Sequence, residues 1–396
     1  MATLCLIWVG GLVTSHGAGM AVPDWPTSYG YNMFYFPISK WVGGIFYEHT
    51  HRLLAAGVGL LTSILAAWIW GRETRGRSRW AGWAAIVLLV GLLSHRGAGR
   101  AVDGGLGNVP VHFQVLAVVL PCLLAVGVVR IIRTGGSLRW LAMTAFFAVI
   151  FQGILGGFRV AWMQDALGIF HAALAQLFFV LLAAIALVTS KWWQDAGAKE
   201  LPVYGAGKLR YFFPLMTGIL FAQLVLGASM RHAGAGLAIP DFPTAYGKLW
   251  PAMDADSITR YNQHRTEVNA TNPITAPQIA MQMAHRTLAL GIFAGVAWVA
   301  GAVRSRWGAR TVVSRLATAW FGIILLQVIL GAATIWTHKA ADIATLHVAV
   351  GALALCAGTI LSLVTLRLCR TGSVPGYDER SAARVGAALE MRSADA

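Results

Sequence analysis

The sequence EHTHR at residues 48–52 stands at the head of an apolar run that extends over about residues 53–70. Ionisable side chains at the mouth of a hydrophobic helix are costly and often mark a functional site. Glu48 and His51 are three residues apart and therefore share one helix face. His49 lies off this face, and we predict it to be a polar residue at the loop edge. A plain helix N-terminus with a capping carboxylate and interfacial basic residues would also produce this pattern.

A second copy of this stretch indicates that the chain contains two homologous halves. Residues 282–286 read QMAHR and open another apolar helix, with glutamine where the first copy has glutamate. Upstream, GAGMAVPDWPTSYG at 17–30 matches GAGLAIPDFPTAYG at 234–247, with a constant offset of 217 in the numbering. Such an internal repeat defines the architecture and has to be read before any single motif.

The composition is typical of a membrane protein. Charged residues make up 12% of the chain, hydrophobic residues make up 57%, and the mean hydropathy is +0.63. Runs long enough to span about 30 Å of hydrocarbon predict about ten transmembrane helices. They lie near 2–17, 49–70, 80–95, 112–132, 140–158, 166–190, 211–229, 280–303, 313–334 and 342–366.

The basic residues predict the orientation in the membrane. With ten helices, five clusters of Arg and Lys fall on one face, and the positive-inside rule makes that face cytoplasmic. Both termini are then cytoplasmic, and the repeat loops with the helix histidines lie toward the outside. The net charge of +15 is explained by this topology, so it gives no indication of a nucleic-acid partner.

These patterns predict an all-α polytopic membrane protein of two homologous four-helix bundles plus an extra helical hairpin. The N-terminal half covers 1–190 and contains the inserted hairpin at 72–137. The C-terminal half covers 205–370. The segment 371–396 is small and polar, and we predict a disordered cytoplasmic tail.

Each half places one histidine on its second helix and one on its last, which gives the pairs His51 with His171 and His285 with His347. Two imidazoles that face each other across a helical bundle are natural axial ligands for haem iron. A zinc site would need three or four ligands close together, and no carboxylate or cysteine accompanies the second pair. The four histidines therefore predict two iron-porphyrin sites.

The choice of His171 rests on local sequence, because spacing favours His112. The numbers of His285 and His347 differ by 62 and those of His51 and His112 differ by 61, whereas His171 follows His51 by 120. However, QGILGG precedes His171 much as QVILGA precedes His347, and His112 follows the unrelated SHRGAG. We predict His171 as the ligand and keep His112 as the alternative.

The motif E-x-x-H-R of Glu48, His51 and Arg52, with QGILGG…IFHAALAQ at 152–176, resembles the haem A synthase family. These membrane enzymes convert haem O to haem A for cytochrome oxidase. The resemblance covers roughly 1–70 and 138–366, and the first external loop lacks a cysteine pair found in some members. It implies a catalytic haem site in the N-terminal half, with haem O as substrate, and a haem b held by the C-terminal half.

The same resemblance implies the partners and the location. The partners would be haem O synthase, cytochrome oxidase assembly factors and a membrane electron acceptor, and self-association is left open. The location would be the bacterial inner (cell) membrane, which the chain would cross many times.

The charged neighbours of the histidines suggest a division of labour. Oxidation of a haem methyl group with water as oxygen source releases protons and needs an acid or base, whereas electron transfer alone does not. Only the first half has a carboxylate one turn from its histidine, so we predict Glu48 as the acid/base or cation-stabilising group; Gln282 replaces it in the second half. Arg52 and Arg286 are predicted to hold haem propionates, and interfacial snorkelling is an equal alternative.

Two other classes of function compete with this interpretation. A diheme electron carrier or a non-catalytic assembly factor would also need the histidine pairs, although the difference between Glu48 and Gln282 counts against it. A secondary transporter would suit the repeated halves, but it should show broken helices and charges at mid-membrane. Here the ionisable residues cluster at one end of the helices.

The start of the chain carries a separate expectation. Under the offset of 217, Met1 aligns with Gly218, which lies inside the corresponding apolar run of the second half. The first helix is therefore short, and it lacks the basic anchor that Lys208 and Arg210 give its counterpart. We expect the natural chain to begin upstream; a short helix in a locally thinned bilayer is the alternative.

Overall fold

The computed structural model describes residues 1–94, 109–199, 209–265 and 273–368, and in these ranges the regular structure is helical. The predicted tail at 371–396 lies outside the described residues. Besides short 3₁₀ turns and two isolated β-bridges, the described ranges contain twelve α-helices. They are α1 (Ala2–Ser15), α2 (Gly43–Glu73), α3 (Gly76–Ser94), α4 (Val111–Arg133), α5 (Leu138–Ala161), α6 (Asp165–Thr189), α7 (Lys191–Lys199), α8 (Leu209–His232), α9 (Ala255–Gln263), α10 (Ala276–Trp307), α11 (Val312–Trp336) and α12 (Ala341–Leu368).

Eight of these helices are long and apolar enough to cross a membrane, namely α2, α4, α5, α6, α8, α10, α11 and α12. A helix satisfies its own backbone hydrogen bonds, which is what a segment in hydrocarbon requires. Helices α1 and α3 coincide with the two other predicted apolar runs, and they have 14 and 19 residues. The prediction of an all-α polytopic membrane protein is confirmed. The exact number of spans and the side of the termini stay predictions.

The helices form two groups of four. Helices α1, α2, α5 and α6 pack around one interior, and α8, α10, α11 and α12 pack around another. The groups meet where α1 and α6 contact α12 and where α6 contacts α8. A Cβ at Gly11 would lie only 2.8 Å from Cγ2 of Thr345, so a small residue is needed for α1 and α12 to approach this closely. The proposed domain boundaries remain predictions.

Helices α3 and α4 pack on the outside of the first group, against α2 and α5. The indole N–H of Trp83 donates to the carbonyl of Ala67 on α2 at 3.0 Å, and that of Trp70 donates to the carbonyl of Ser78 at 3.0 Å. Phe113 on α4 is fully buried and contacts Trp25, with ring centres 4.6 Å apart and planes inclined at 55°. Helix α4 therefore supports the first repeat loop through Phe113.

The ends of the second-half helices follow from local sequence. A capping box of Thr275 and Gln278 opens α10, and the helix ends at Gly308, whose φ of 81° suits a residue without a Cβ. Thr311 then caps α11 by accepting a hydrogen bond from the backbone N–H of Ser314 at 3.2 Å.

Candidate cofactor site

One large cavity, with a volume of about 1610 Å³, reaches into both groups of helices. Every site residue predicted from the sequence lines it: Glu48, His51, Arg52, His171, His285, Arg286 and His347. Its wall is predominantly apolar and includes several glycines and alanines of α1, α2, α5 and α8. A cavity of this size and character suits a large, flat, apolar molecule.

The first histidine pair faces across the first group of helices. His51 on α2 and His171 on α6 have ring centres 6.4 Å apart, and their planes are inclined at 73°. His112 instead contacts its neighbour Phe113 on α4, with ring centres 4.2 Å apart and planes inclined at 43°, and is not among the residues that line the cavity. The structure thus places His171 opposite His51; the ligand role itself stays a prediction.

The separation of this pair suits one metal ion between the two rings. An imidazole nitrogen binds a transition metal at about 2 Å, so two rings on opposite sides of one ion have centres about 6 Å apart. Among the described residues there is no group of three or more His, Cys, Asp or Glu that could hold a bare ion. The donor set therefore fits a metal that brings its other ligands with it, as iron in a porphyrin does.

Each of the four histidines packs against a glycine of a neighbouring helix. A Cβ at these glycines would lie 3.0 to 3.3 Å from Cε1 of the ring, which is closer than ordinary contact. The pairs are Gly10 with His51, Gly156 with His171, Gly227 with His285, and Gly331 with His347. The cradle is repeated in both halves, and a methyl group would push each ring out of place.

Sequence reasoning missed half of this cradle. The glycines at 156 and 331 belong to the motifs quoted above, but Gly10 and Gly227 were not singled out. Their signal was present, because their numbers differ by the same 217 as those of the repeat loops. Two glutamines add support: Gln152 donates to the carbonyl of His171 and Gln223 to that of His285, each at 2.9 Å.

Glu48 and Gln282 hold the two repeat loops in the same way. Glu48 is 4% exposed, and its Oε2 accepts a hydrogen bond from the backbone N–H of Val22 at 2.8 Å. Gln282 is 2% exposed, and its Oε1 accepts from the backbone N–H of Ile239 at 2.6 Å. The difference between the halves is therefore one of charge, and the loop hydrogen bond is common to both.

The arginines next to the histidines also bind the loops. Arg52 donates through Nη1 to the carbonyls of Asp24 and Thr27, and through Nη2 to the carbonyl of Val22 and to Oε1 of Glu48, over 2.7 to 2.9 Å. These bonds use four of the five guanidinium donors.

Arg286 repeats this arrangement in the second half. It donates to the carbonyls of Thr244 and Asp241 at 2.9 and 2.8 Å. Propionate binding by these two arginines stays a prediction, and the bonds described here show that both already serve as loop anchors.

An aspartate organises each loop internally. Asp24 accepts from the backbone N–H groups of Tyr29 and Gly30 at 2.6 and 2.8 Å. Asp241 accepts from those of Tyr246 and Gly247 at 2.7 and 2.9 Å.

Hydrogen bonds, burial and neighbouring groups shift the pKa values of Asp241 and Tyr246 in the second loop. Burial acts to raise the pKa of Asp241, but the bonds from Gly247, Thr244 and Tyr246 outweigh it and hold the pKa below the usual value. Burial, together with Tyr261 and Asp241, raises the pKa of Tyr246 to about 12. Asp241 is thus a carboxylate, and Tyr246 a neutral phenol, at neutral pH.

The expectation for His49 was wrong. Helix α2 begins at Gly43, so His49 lies inside the helix and is fully buried. Its ring contacts those of Phe36 and Trp41, with centres 4.8 Å away in both cases, and its Nδ1 is 3.2 Å from the hydroxyl of Ser28. It ties the loop to the helix, because the chain after the loop folds back over this face.

Three basic residues in the last turns of α5 and α8 line the cavity and were not predicted as site residues, and Lys339, which follows α11, lines it as well. Arg159 lies in the last turn of α5, and Arg231 and His232 lie in the last turn of α8. Their sequence signal was weak, because basic residues at helix ends are common at membrane interfaces.

The fold and this cavity define a polytopic α-helical membrane protein in which two pairs of histidines line the same cavity. A family model described as cytochrome oxidase assembly protein matches residues 111–359, more than half of the chain. The chain belongs to this family, as the resemblance to haem A synthases led us to expect.

Named relatives agree with this assignment. The chain is 27% identical to the heme A synthase of Staphylococcus haemolyticus over 212 residues, which is 52% of this chain and 60% of the relative. It is 23% identical to that of Shouchella clausii over 269 residues, 67% of each chain. It is 28% identical to that of Staphylococcus aureus over 201 residues, 50% of this chain and 58% of the relative. The match to the first of these relatives thus spans about three fifths of its length.

Proposed function

We propose that the protein is a haem A synthase, which oxidises a methyl group of haem O to a formyl group for cytochrome c oxidase. The observation that carries this proposal is the pair His51 and His171, 6.4 Å apart in a cavity that also contains Glu48. The names of the relatives support it. Conversion of a methyl to a formyl group with one water releases four protons and four electrons, so the site must handle both.

The histidine pairs divide the cofactors between the halves. His51 and His171 would hold the porphyrin that is oxidised, and His285 and His347 would hold a haem b through which electrons pass to a membrane acceptor. Bound iron porphyrin supplies the redox chemistry. The protein's own contribution is orientation, because the glycine cradle fixes the four rings and leaves them facing the cavity.

Glu48 is the proposed proton acceptor. Its carboxylate is buried and ion-paired with Arg52 at 2.7 Å, and it lines the cavity on the side of His51. A positioned acid or base typically contributes about 10²–10⁴-fold to a rate. Gln282 cannot take a proton, which fits a second site that only transfers electrons.

Glu48→Gln tests this role because it keeps the loop hydrogen bond while it removes the carboxylate and, with it, the ion pair to Arg52. Gln282 already makes the equivalent loop hydrogen bond in the same protein, so glutamine at 48 keeps the bond to Val22 and removes the charge. We expect the variant to bind haem and to accumulate no haem A in pigment extracts. The reciprocal Gln282→Glu serves as the matched control and should retain haem A production. Normal haem A formation by Glu48→Gln would refute the catalytic role.

A non-catalytic diheme carrier or assembly factor is the second candidate. The observation in its favour is that Glu48 has a structural task, because it holds the loop just as Gln282 does. Pigment extraction from cells that supply haem O separates the two candidates. Haem A, or the alcohol intermediate, indicates the enzyme, whereas bound but unmodified haem indicates the carrier.

The cellular setting is part of the proposal. A synthase of this kind would reside in the bacterial inner membrane, receive haem O from haem O synthase and pass its product to cytochrome oxidase assembly factors. The apolar wall of the cavity suits a substrate that never leaves a hydrophobic environment.

A further inference from the structure

Arg231 joins the two groups of helices at the wall of the cavity. Its Nη2 donates to the carbonyl of Gly11 at 2.8 Å and to the hydroxyl of Ser15 at 2.5 Å, both in α1. The hydroxyl of Ser15 is in turn 3.0 Å from that of Thr345 on α12. The guanidinium is therefore held against α1.

Its charge has no partner in the part of the chain described here. The one ion pair among the described residues joins Arg52 to Glu48, and the Nη1 and Nε groups of Arg231 make no hydrogen bond with those residues. A half-buried guanidinium in a helical membrane bundle is costly unless an anion compensates it. Because Arg231 lines the cavity, a ligand in the cavity can supply that anion.

The repeat shows that the position is specialised. Under the offset of 217, Arg231 corresponds to Thr14 in the first half. Arg231 is linked through the hydroxyl of Ser15 to Thr345, which lies two residues before His347 of the second pair. The second histidine pair thus has a basic residue that the first half lacks at the matching position.

We propose that Arg231 binds a carboxylate of the porphyrin held by His285 and His347. This inference rests on the proposed function, since it requires a porphyrin in the second half. A guanidinium forms short charge-assisted bonds with a carboxylate, and it is the preferred group for partly buried pairs. Arg286, the residue predicted for this task from the sequence, already donates to the loop carbonyls.

The test compares a porphyrin with free carboxylates and one without them. The experiment uses the full-length chain carrying His51→Ala, so that only the second histidine pair contributes to porphyrin binding. This protein is depleted of haem in detergent. It is then titrated with iron protoporphyrin IX or with its dimethyl ester. Arg231→Gln should bind the free acid about ten- to hundredfold more weakly than the parent does. Its affinity for the ester should be unchanged, and Arg231→Lys should retain part of the preference for the acid.

The outcomes separate binding from a purely structural role. If Arg231→Gln weakened the acid and the ester equally, Arg231 would only hold α1 to α8, and the inference would be wrong. Loss of the acid preference in Arg286→Gln, and not in Arg231→Gln, would assign the carboxylate to Arg286. If the parent bound neither porphyrin while retaining its helical fold, the proposed function itself would fail.

Discussion

The two repeat loops are built alike, but the side chains that accept a hydrogen bond from their backbone, Glu48 and Gln282, differ by one charge. In both halves a side-chain oxygen of α2 or α10 accepts a hydrogen bond from the loop backbone, at 2.8 Å for Glu48 and 2.6 Å for Gln282. In both halves the arginine four residues later donates to loop carbonyls. The loop hydrogen bond therefore does not require a carboxylate, and the extra charge of Glu48 is paired with Arg52 at 2.7 Å.

The surroundings of the loops differ as well. The first loop is tied down by His49 and Ser28 and is backed by Phe113 of the extra hairpin. The second loop has Ala245 and Met283 at the corresponding positions and is flanked by α9, whose Tyr261 stacks on Tyr246. The halves thus share the histidine cradle and differ in how the cavity is closed from the loop side.

The largest expected effect on haem A formation comes from the loss of a histidine of the first pair. His51→Ala or His171→Ala should abolish haem A formation, because the oxidised porphyrin would lose its axial ligand. Pigment extraction followed by chromatography measures this. His112→Ala is the control and should have a mild effect, since that ring contacts Phe113 and does not line the cavity. An inactive His112 variant beside an active His171 variant would reverse the assignment.

Loss of a second-pair histidine should impair the porphyrin site of the C-terminal half and leave that of the N-terminal half intact. His285→Ala should remove a low-spin cytochrome b-type absorption band, while the first pair still binds porphyrin. His347→Ala should give the same spectrum, because either ligand is needed for the bis-histidine state. An intact band in both variants would show that this pair is not the haem b site.

A smaller effect is expected from the glycine cradle. A Cβ at Gly227 would lie 3.1 Å from Cε1 of His285, so Gly227→Ala should displace the ring and weaken haem retention about tenfold. Gly218→Ala is the matched control, because it lies on the same helix with no heavy atom within 4 Å of the added Cβ. Equal haem affinity in the two variants would rule out the cradle as a positioning device.

The smallest effect concerns acid stability of the second loop. The pKa of Asp241 is lowered in the folded protein from its usual 3.8. Ionised Asp241 therefore stabilises the folded protein above pH 3.8, and this stabilisation is lost as the pH falls through the lowered pKa. Asp241→Asn should remove this part of the acid sensitivity. Melting temperatures measured from pH 6 down to pH 3 would show it. A variant with the same pH dependence as the parent would exclude Asp241 as its source.

Much of the architecture follows from the sequence alone. Hydropathy and repetition are local properties, so the helical membrane class, the repeated loops and the four histidines could be read from EHTHR, QMAHR and the apolar runs. The pairing of His51 with His171 was favoured on the strength of QGILGG, and the structure shows why that motif matters: Gly156 makes room for the ring.

The tertiary structure decided what the side chains touch. Sequence reasoning assigned His49 to a loop edge, yet it is buried because the loop folds back over α2. It predicted that Arg52 holds a propionate, which stays a prediction, and it did not show that the donors of this side chain reach carbonyls of residues 22–27. It passed over Arg231, whose partners Gly11 and Ser15 belong to the first helix of the other half. Contacts of this kind depend on how helices pack against one another, and no periodicity along a single segment encodes them.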